Sequence, residues 1–269
     1  MRLAVLTSLF LLLVGCTDVS VESPEPAPAD STADLSAFFP EGTEGAFVLY
    51  DAQSGVTTRY NPARAAEPRT PASTFKIFNT MAFLDAGVVP DEHEVIAWDG
   101  VERWLPQWNE SQDLATAFRR STVWVYRELA RRAGRDTLQA FLTREGYGNA
   151  TIGDEVDLFW LDGSLRISPD EQVAFLRRLR ASETGFSDRA EGIVKEIMVA
   201  DTTGGAVTRG KTGWALREGE NLGWWVGWVE RGNDVHFFAL QIESDDPEFD
   251  MVGVRKGAAG AILRHLGVG

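Results

Sequence analysis

The chain has 269 residues, 44% of them hydrophobic with nine Trp and fifteen Phe, enough to bury one sizeable core as a single domain of two lobes. Its formal charge of -14 argues against a nucleic-acid partner, whose phosphates need clustered Lys and Arg. An anionic small molecule would have to be met by a local cationic site, because the overall field opposes it.

Arg2 precedes an apolar stretch from Leu3 to Val14, too short to span a bilayer but of the right length for a signal-peptide core. The stretch ends Leu13-Val14-Gly15-Cys16, which resembles a bacterial lipobox with Cys16 as the lipidated residue. Cys16 is the only cysteine, so it has no internal disulfide partner. An ordinary signal peptide cut elsewhere would leave it as a free thiol. Residues 17–34, rich in Pro, Glu, Ser, Asp and Ala, read as a disordered tether. The expected organisation is a lipoprotein-type signal peptide over 1–16, the tether, and a folded domain over 35–269. Such a protein is exported and touches the periplasmic side of a bacterial membrane only through its lipid.

Gly45 to Asp51 reads as a strand, Gln53-Ser54-Gly55 as its turn and Thr57 to Tyr60 as the return. A helix starts at Thr70-Pro71 and stops at Gly87. Thr122 to Ala133 is a second helix, and Asp136 is expected to cap a third that runs to Gly146. Ser168-Pro169-Asp170-Glu171 is a capping box opening a fourth. Strands return at Val207 to Trp214, Gly223 to Glu230 and Val235 to Glu243, followed by a last helix from about Val254 to Leu266. The fold class is therefore α/β in the α+β sense: a five-stranded antiparallel sheet built from both ends of the chain, flanked by helices, with an inserted helical lobe. A cleft between the lobes is the natural place for a small-molecule site.

Ser73-Thr74-Phe75-Lys76 opens the first helix. Residues i and i+3 share a helix face, so Ser73 and Lys76 can touch. Phe75, Ile77 and Phe78 surround the lysine with apolar bulk, and burial disfavours an ammonium. A neutral amine can take the serine proton and make it a nucleophile. Taken alone, the pair is also compatible with a surface lysine on an amphipathic helix. The rest of the pattern adds weight: Ser121-Thr122-Val123 heads the next helix and Lys211-Thr212-Gly213 lies on a strand expected to edge the cleft. Penicillin-binding proteins and class A β-lactamases combine Ser-x-x-Lys, Ser-Asp-Asn and Lys-Thr-Gly in this order. Here Ser-x-Val replaces the middle motif, placing an apolar wall where the others have an amide.

With Tyr147-Gly148-Asn149, Phe159-Trp160-Leu161 and Trp224 to Glu230 added, the chain resembles the class D serine β-lactamases, the oxacillinase family, over nearly everything after the tether. The resemblance implies the serine β-lactamase/D,D-peptidase fold and hydrolysis of β-lactams through an acyl-enzyme on Ser73. It implies that Lys76 is carboxylated by CO2 and serves as base in both half-reactions, with the Trp160 indole N–H as donor to that group. Ser121, backed by Lys211, would return a proton to the lactam nitrogen. The backbone N–H groups of Ser73 and Trp214 would hold the oxyanion. Lys211, Thr212 and Arg255 would meet the substrate carboxylate, and Val123, Leu161 and Gly213 would complete the cleft. Trp214 stands where the family usually has Phe or Tyr. No bound cofactor is implied beyond CO2 or bicarbonate, and the oligomeric state stays open between monomer and homodimer.

His93, His236 and His265 are scattered, without metal-ligand spacing, which argues against a zinc enzyme or a His-dependent hydrolase. Two rivals share the serine and lysines. A penicillin-sensing receptor domain acylates without turning over, and a cell-wall D,D-peptidase usually carries Asn where Val123 stands.

Overall fold

The computed structural model describes residues 30–217 and 220–268. The signal-peptide segment and Cys16 lie outside the described residues. In chain order the strands are β1 (Ser31–Thr32), β2 (Thr43–Asp51), β3 (Thr57–Tyr60), β4 (Val95–Ile96), β5 (Gln112–Asp113), β6 (Val199–Asp201), β7 (Val207–Arg217), β8 (Glu220–Arg231) and β9 (Asp234–Ser244). The α-helices are α1 (Pro62–Ala65), α2 (Lys76–Asp85), α3 (Leu114–Arg119), α4 (Val123–Ala133), α5 (Arg135–Glu145), α6 (Pro169–Ala181), α7 (Asp188–Ile197) and α8 (Met251–His265).

The main sheet has seven strands, not five, in the order β1-β3-β2-β9-β8-β7-β6. The five expected strands are its unbroken centre, with β2 from the first part of the chain pairing antiparallel to β9 from the last. The additions are at the edges. β1 runs parallel to β3, and Ala33 N–H continues that ladder to Arg59 O at 2.9 Å. β6 pairs with β7 only at Thr208 and Arg209. Strands of two or three residues carry too little alternation to be read from sequence. The ordered fold thus takes in the last residues of the segment assigned to the tether: Asp30 pairs with Arg59 at 2.6 Å, and Ser31 and Thr32 form β1.

Both faces of the sheet are covered, which is why its inner strands are continuous apolar runs rather than alternating ones. Ala46, Val48, Trp224, Val226, Trp228, Phe237 and Ala239 face the core shared with the helical lobe. The intervening Phe47, Leu49, Trp225, Phe238, Leu240 and Ile242 pack with Met251, Ala259, Ile262 and Leu263 of α8.

Caps set most helix ends. The expected box at α6 is present: Ser168 Oγ accepts from Glu171 N–H at 3.2 Å, and Glu171 Oε2 accepts from Ser168 N–H at 2.7 Å. Asp136 is not a cap; it sits in the first turn of α5, after Gly134. The last helix begins a turn earlier than Val254, because Asp250 accepts from Gly253 N–H at 2.9 Å. Helices α1, α3 and α7 are short additions to the expected set, capped by the side chains of Asn61, Asp113 and Ser187 respectively. No helix among the described residues is long and apolar enough to cross a membrane.

Candidate active site

Ser73 stands on a 3-10 turn, Ala72–Phe75, that runs into α2 rather than on the α-helix itself. Three bonds pin that turn. Ala72 N–H donates to Trp160 O at 3.0 Å, Thr74 Oγ1–H to Pro71 O at 2.8 Å, and Trp224 Nε1–H to Thr70 O at 2.9 Å. Ala72 adopts φ +49°, a left-handed conformation that costs a residue with a Cβ about 1 kcal/mol or more. The second serine, Ser121, is itself left-handed at φ +56°. The backbone is therefore forced at both places where a hydroxyl is presented to the cleft.

Lys76 lies at the start of α2 with no solvent exposure, and its Nζ donates to Ser73 Oγ at 3.2 Å. Burial alone drives its pKa down to about 7. The Tyr126 ring centroid is 4.6 Å from Nζ, and the Tyr126 hydroxyl bonds Thr80, whose Oγ1–H donates to Lys76 O at 2.7 Å. Phe75 stacks on Phe78 and meets Tyr147, Phe159 and Trp160, so the turn beside Lys76 is walled by aromatic rings. Trp160 is fully buried, and among the described residues its Nε1–H has no partner. A lysine whose amine is partly neutral near pH 7, and an orphaned buried donor on the residue that braces the nucleophile's turn, fit carboxylation of Lys76.

From the other wall, Lys211 on β7 donates from Nζ to Ser121 Oγ. It is buried, and its pKa is pushed well down, first by desolvation and then by Lys76, Arg255 and Lys256. Arg255 in α8 is also buried rather than solvated: its Nη1–H donates to Gly213 O at 2.8 Å, and burial lowers its pKa to about 10. Because Asp250 starts α8 a turn early, Arg255 falls in its second turn, within reach of β7. Over Ser73 opens a cavity of 390 Å³ whose walls include Val123, Thr212, Gly213, Trp214 and Arg255. Leu161 packs against the neighbouring core, partly buried.

Gly213 has a steric reason. A Cβ there would lie 2.8 Å from Pro71 O and 3.1 Å from Thr74 Cγ2, so only glycine lets β7 approach the serine turn this closely. Gly213→Ala should lower stability by roughly 1–3 kcal/mol, as overpacking does. It should also cost about 10–100-fold in kcat/KM through misplacement of the strand. Thermal unfolding beside steady-state kinetics would check this; an unchanged variant in both would mean that the turn yields freely.

Tyr147 and Asn149 are structural. The Tyr147 ring packs on Phe75, Phe78 and Phe175, while the Asn149 side chain donates to Ser164 O and accepts from Arg166 N–H. The reading of the sequence missed the rim. Trp104, Leu105, Trp108, Arg119 and Val252 also line the cavity, with Trp104 71% exposed and its ring 6.5 Å from that of Trp214. The signal was the tryptophan spacing in 98–108, a stretch without helix or strand period. Among the described residues no cluster of His, Cys, Asp or Glu could hold a metal.

A buried Lys on Ser73, a second Lys on Ser121 and a glycine-bearing strand closing the cleft define a serine acyl-transfer protein of the penicillin-binding class. Residues 45–264 match the penicillin binding protein transpeptidase domain. Along 98% of its length the chain is 39% identical to beta-lactamase OXA-48 of Klebsiella pneumoniae, covering 98% of that protein. The solved class D β-lactamase YbXI from Nostoc superposes with a TM-score of 0.82 at 38% identity, over 87% of this chain and 97% of that one. The C-terminal domain of the Bacillus licheniformis BlaR penicillin-receptor does so with a TM-score of 0.85 at 32% identity, over 89% and 97%. The chain belongs to the class D β-lactamase family.

Proposed function

We propose that this protein hydrolyses β-lactams through an acyl-enzyme on Ser73, with Lys76, carboxylated on Nζ, as general base. The observation that carries the reading is the contact between the buried Lys76 Nζ and Ser73 Oγ at 3.2 Å. Ser73 Oγ attacks the lactam carbonyl as its proton leaves towards Lys76, and the backbone N–H groups of Ser73 and Trp214 receive the oxyanion. One such donor contributes about 10²–10³ in rate. The C–N bond then breaks, the nitrogen takes the Ser121 proton, and Lys211 resupplies Ser121 through their hydrogen bond. Carboxylation would supply an anionic base at the lysine that also serves for the water of deacylation, and Trp160 Nε1–H is the donor free to hold it. Lys211, Thr212 and Arg255 meet the substrate carboxylate.

The likeness to a penicillin receptor sustains a second reading, in which the protein acylates and stays acylated. Mixing with a chromogenic cephalosporin, followed past one enzyme equivalent with and without bicarbonate, separates the two. Sustained turnover raised by bicarbonate is the expected result; a single burst with Ser73 left modified would establish the receptor reading. Val123 on the cleft wall in place of Asn speaks against a D,D-peptidase.

Export with a lipid anchor at Cys16 is part of the same proposal, supported by Leu13-Val14-Gly15-Cys16 at the end of the apolar stretch. Cys16→Ser should move the protein from the membrane to the soluble fraction in a fractionation assay. A wild type already found entirely in the soluble fraction would end the anchor proposal.

A further inference from the structure

Beyond Thr212, away from the apolar cavity, lies a second cavity of 220 Å³. The two share Arg119 and Thr212 in their walls. Its only ionisable wall residues among those described are Arg119, Lys211 and Lys256, all basic. None of the three has an ion pair among the described residues, although Asp113 feels Arg119 at longer range. Several other arginines are held by carboxylates, Arg59 by Asp30 and Asp170, Arg64 by Glu44 and Glu243 and Arg103 by Asp99, whereas Arg135 and Arg231 bond only backbone carbonyls. In a chain of formal charge -14, this cavity gathers three basic residues and no carboxylate in its wall, which makes it locally favourable to an anion.

The groups are also oriented. Lys256 Nζ lies 4.7 Å from the centroid of the Trp225 ring, and Trp225 is itself a wall residue. Arg119 bonds only Thr116 Oγ1, at 3.1 Å, through one guanidinium nitrogen, leaving most of its donors uncommitted. Lys211 is held at the border by Ser121. Lys256 lowers the proton affinity of Lys211, so these two amines repel one another across this region, while Arg119 faces the same cavity from α3. An anion placed between them relieves that repulsion.

We propose that this cavity is a second anion subsite, in which Lys256 and Arg119 bind a carboxylate- or phosphate-class oxyanion beside the substrate. Thr212 lines both cavities, so a β-lactam with its carboxylate at Thr212 would bring the ring substituent next to that carboxylate to the border between them. A second anionic substituent there enters the cavity, and the protein prefers dianionic substrates. This preference rests on the hydrolase reading above; the oxyanion site does not.

The test has two arms, each run on wild type, Lys256→Met and Arg119→Met. In the first, inorganic phosphate is titrated calorimetrically into the purified protein without substrate. Either substitution should weaken binding roughly five- to tenfold. Binding that survives both substitutions places phosphate at the Ser73 carboxylate site instead, and overturns the proposal. In the second, kcat/KM is compared for two cephalosporins whose C3 substituents differ only in a carboxylate. Lys256→Met should erase about tenfold of the preference for the anionic one through KM, with the neutral one changed less than about twofold. Phosphate weakened with an unchanged substrate ratio assigns the site to a free oxyanion and overturns the substrate preference. Should the protein acylate without turning over, the first arm still decides the site, and only the hydrolase reading fails.

Discussion

Lys76→Ala should lower β-lactam turnover by at least about 10³-fold, the scale of a lost general base, and bicarbonate should restore none of it. Burial holds the pKa of Lys76 at about 7, so near neutral pH about half of the amine is unprotonated. At the ordinary value of 10.5 fewer than about one in a thousand would be. Only the neutral amine takes a proton or reacts with CO2, so activity should fall as pH drops below about 7, and added bicarbonate should move that limb to lower pH. Progress curves from pH 5 to 9 would check this; a limb unmoved by bicarbonate would detach it from Lys76.

The same burial has a cost in stability, and its sign is fixed by linkage. Between pH 7 and 10.5 the unfolded chain binds the Lys76 proton and the folded chain does not, so this group makes stability rise with pH through that window and leaves it flat below. Lys76→Met keeps the volume and removes the ammonium. In CO2-free buffer it should be more stable than wild type by roughly 2–4 kcal/mol at pH 7, with the gap closing towards pH 10.5. Denaturant unfolding at the two pH values separates a functional lysine from a merely tolerated one. Inactivity accompanied by a stability loss at both would mean that Lys76 supports packing.

The chemistry was more legible in the sequence than the frame that aims it. Ser73, Lys76, Ser121 and Lys211 stood in recognisable order, and the structure brings them together as two Lys–Ser pairs. Ser168 and Glu171 announced α6 because a capping box is a local bond pattern. What was hidden is non-local or non-periodic. Edge strands β1 and β6 exist only because β3 and β7 offer them an open side. The left-handed Ala72 and Ser121 carry no glycine to betray them; their conformations are imposed by contacts such as Ala72 N–H to Trp160 O. Arg255 reaches Gly213 on β7 because Asp250, among the acidic residues of a loop, starts α8 a turn earlier than Val254. Lys256, beside it, carries no motif that marks it in the sequence, although it lines a second cavity. Short-range signals find the reacting groups; the strained turns that present them need the folded chain.

Trp160→Phe should give the second large effect, and its signs differ between stability and activity. Trp160 Nε1 is buried with no partner among the described residues, and a buried unsatisfied donor costs about 1–3 kcal/mol. Phenylalanine removes the donor and keeps most of the ring contact with Phe75 and Phe159. Without CO2 the variant should therefore be about as stable as wild type, the lost area offsetting the relieved donor. With bicarbonate present the wild type alone gains a partner for the indole, so at a given bicarbonate concentration the wild type should rise more in Tm than the variant. Activity should follow the same logic. Deacylation needs the base to activate water, so it should slow about 10–100-fold and more than acylation, with half-maximal activity shifted to about tenfold higher bicarbonate. Stopped-flow burst kinetics over a bicarbonate series would read both steps. Equal losses in acylation and deacylation, with no change in bicarbonate dependence, would reduce Trp160 to the brace of the serine turn that its backbone bond to Ala72 already makes it.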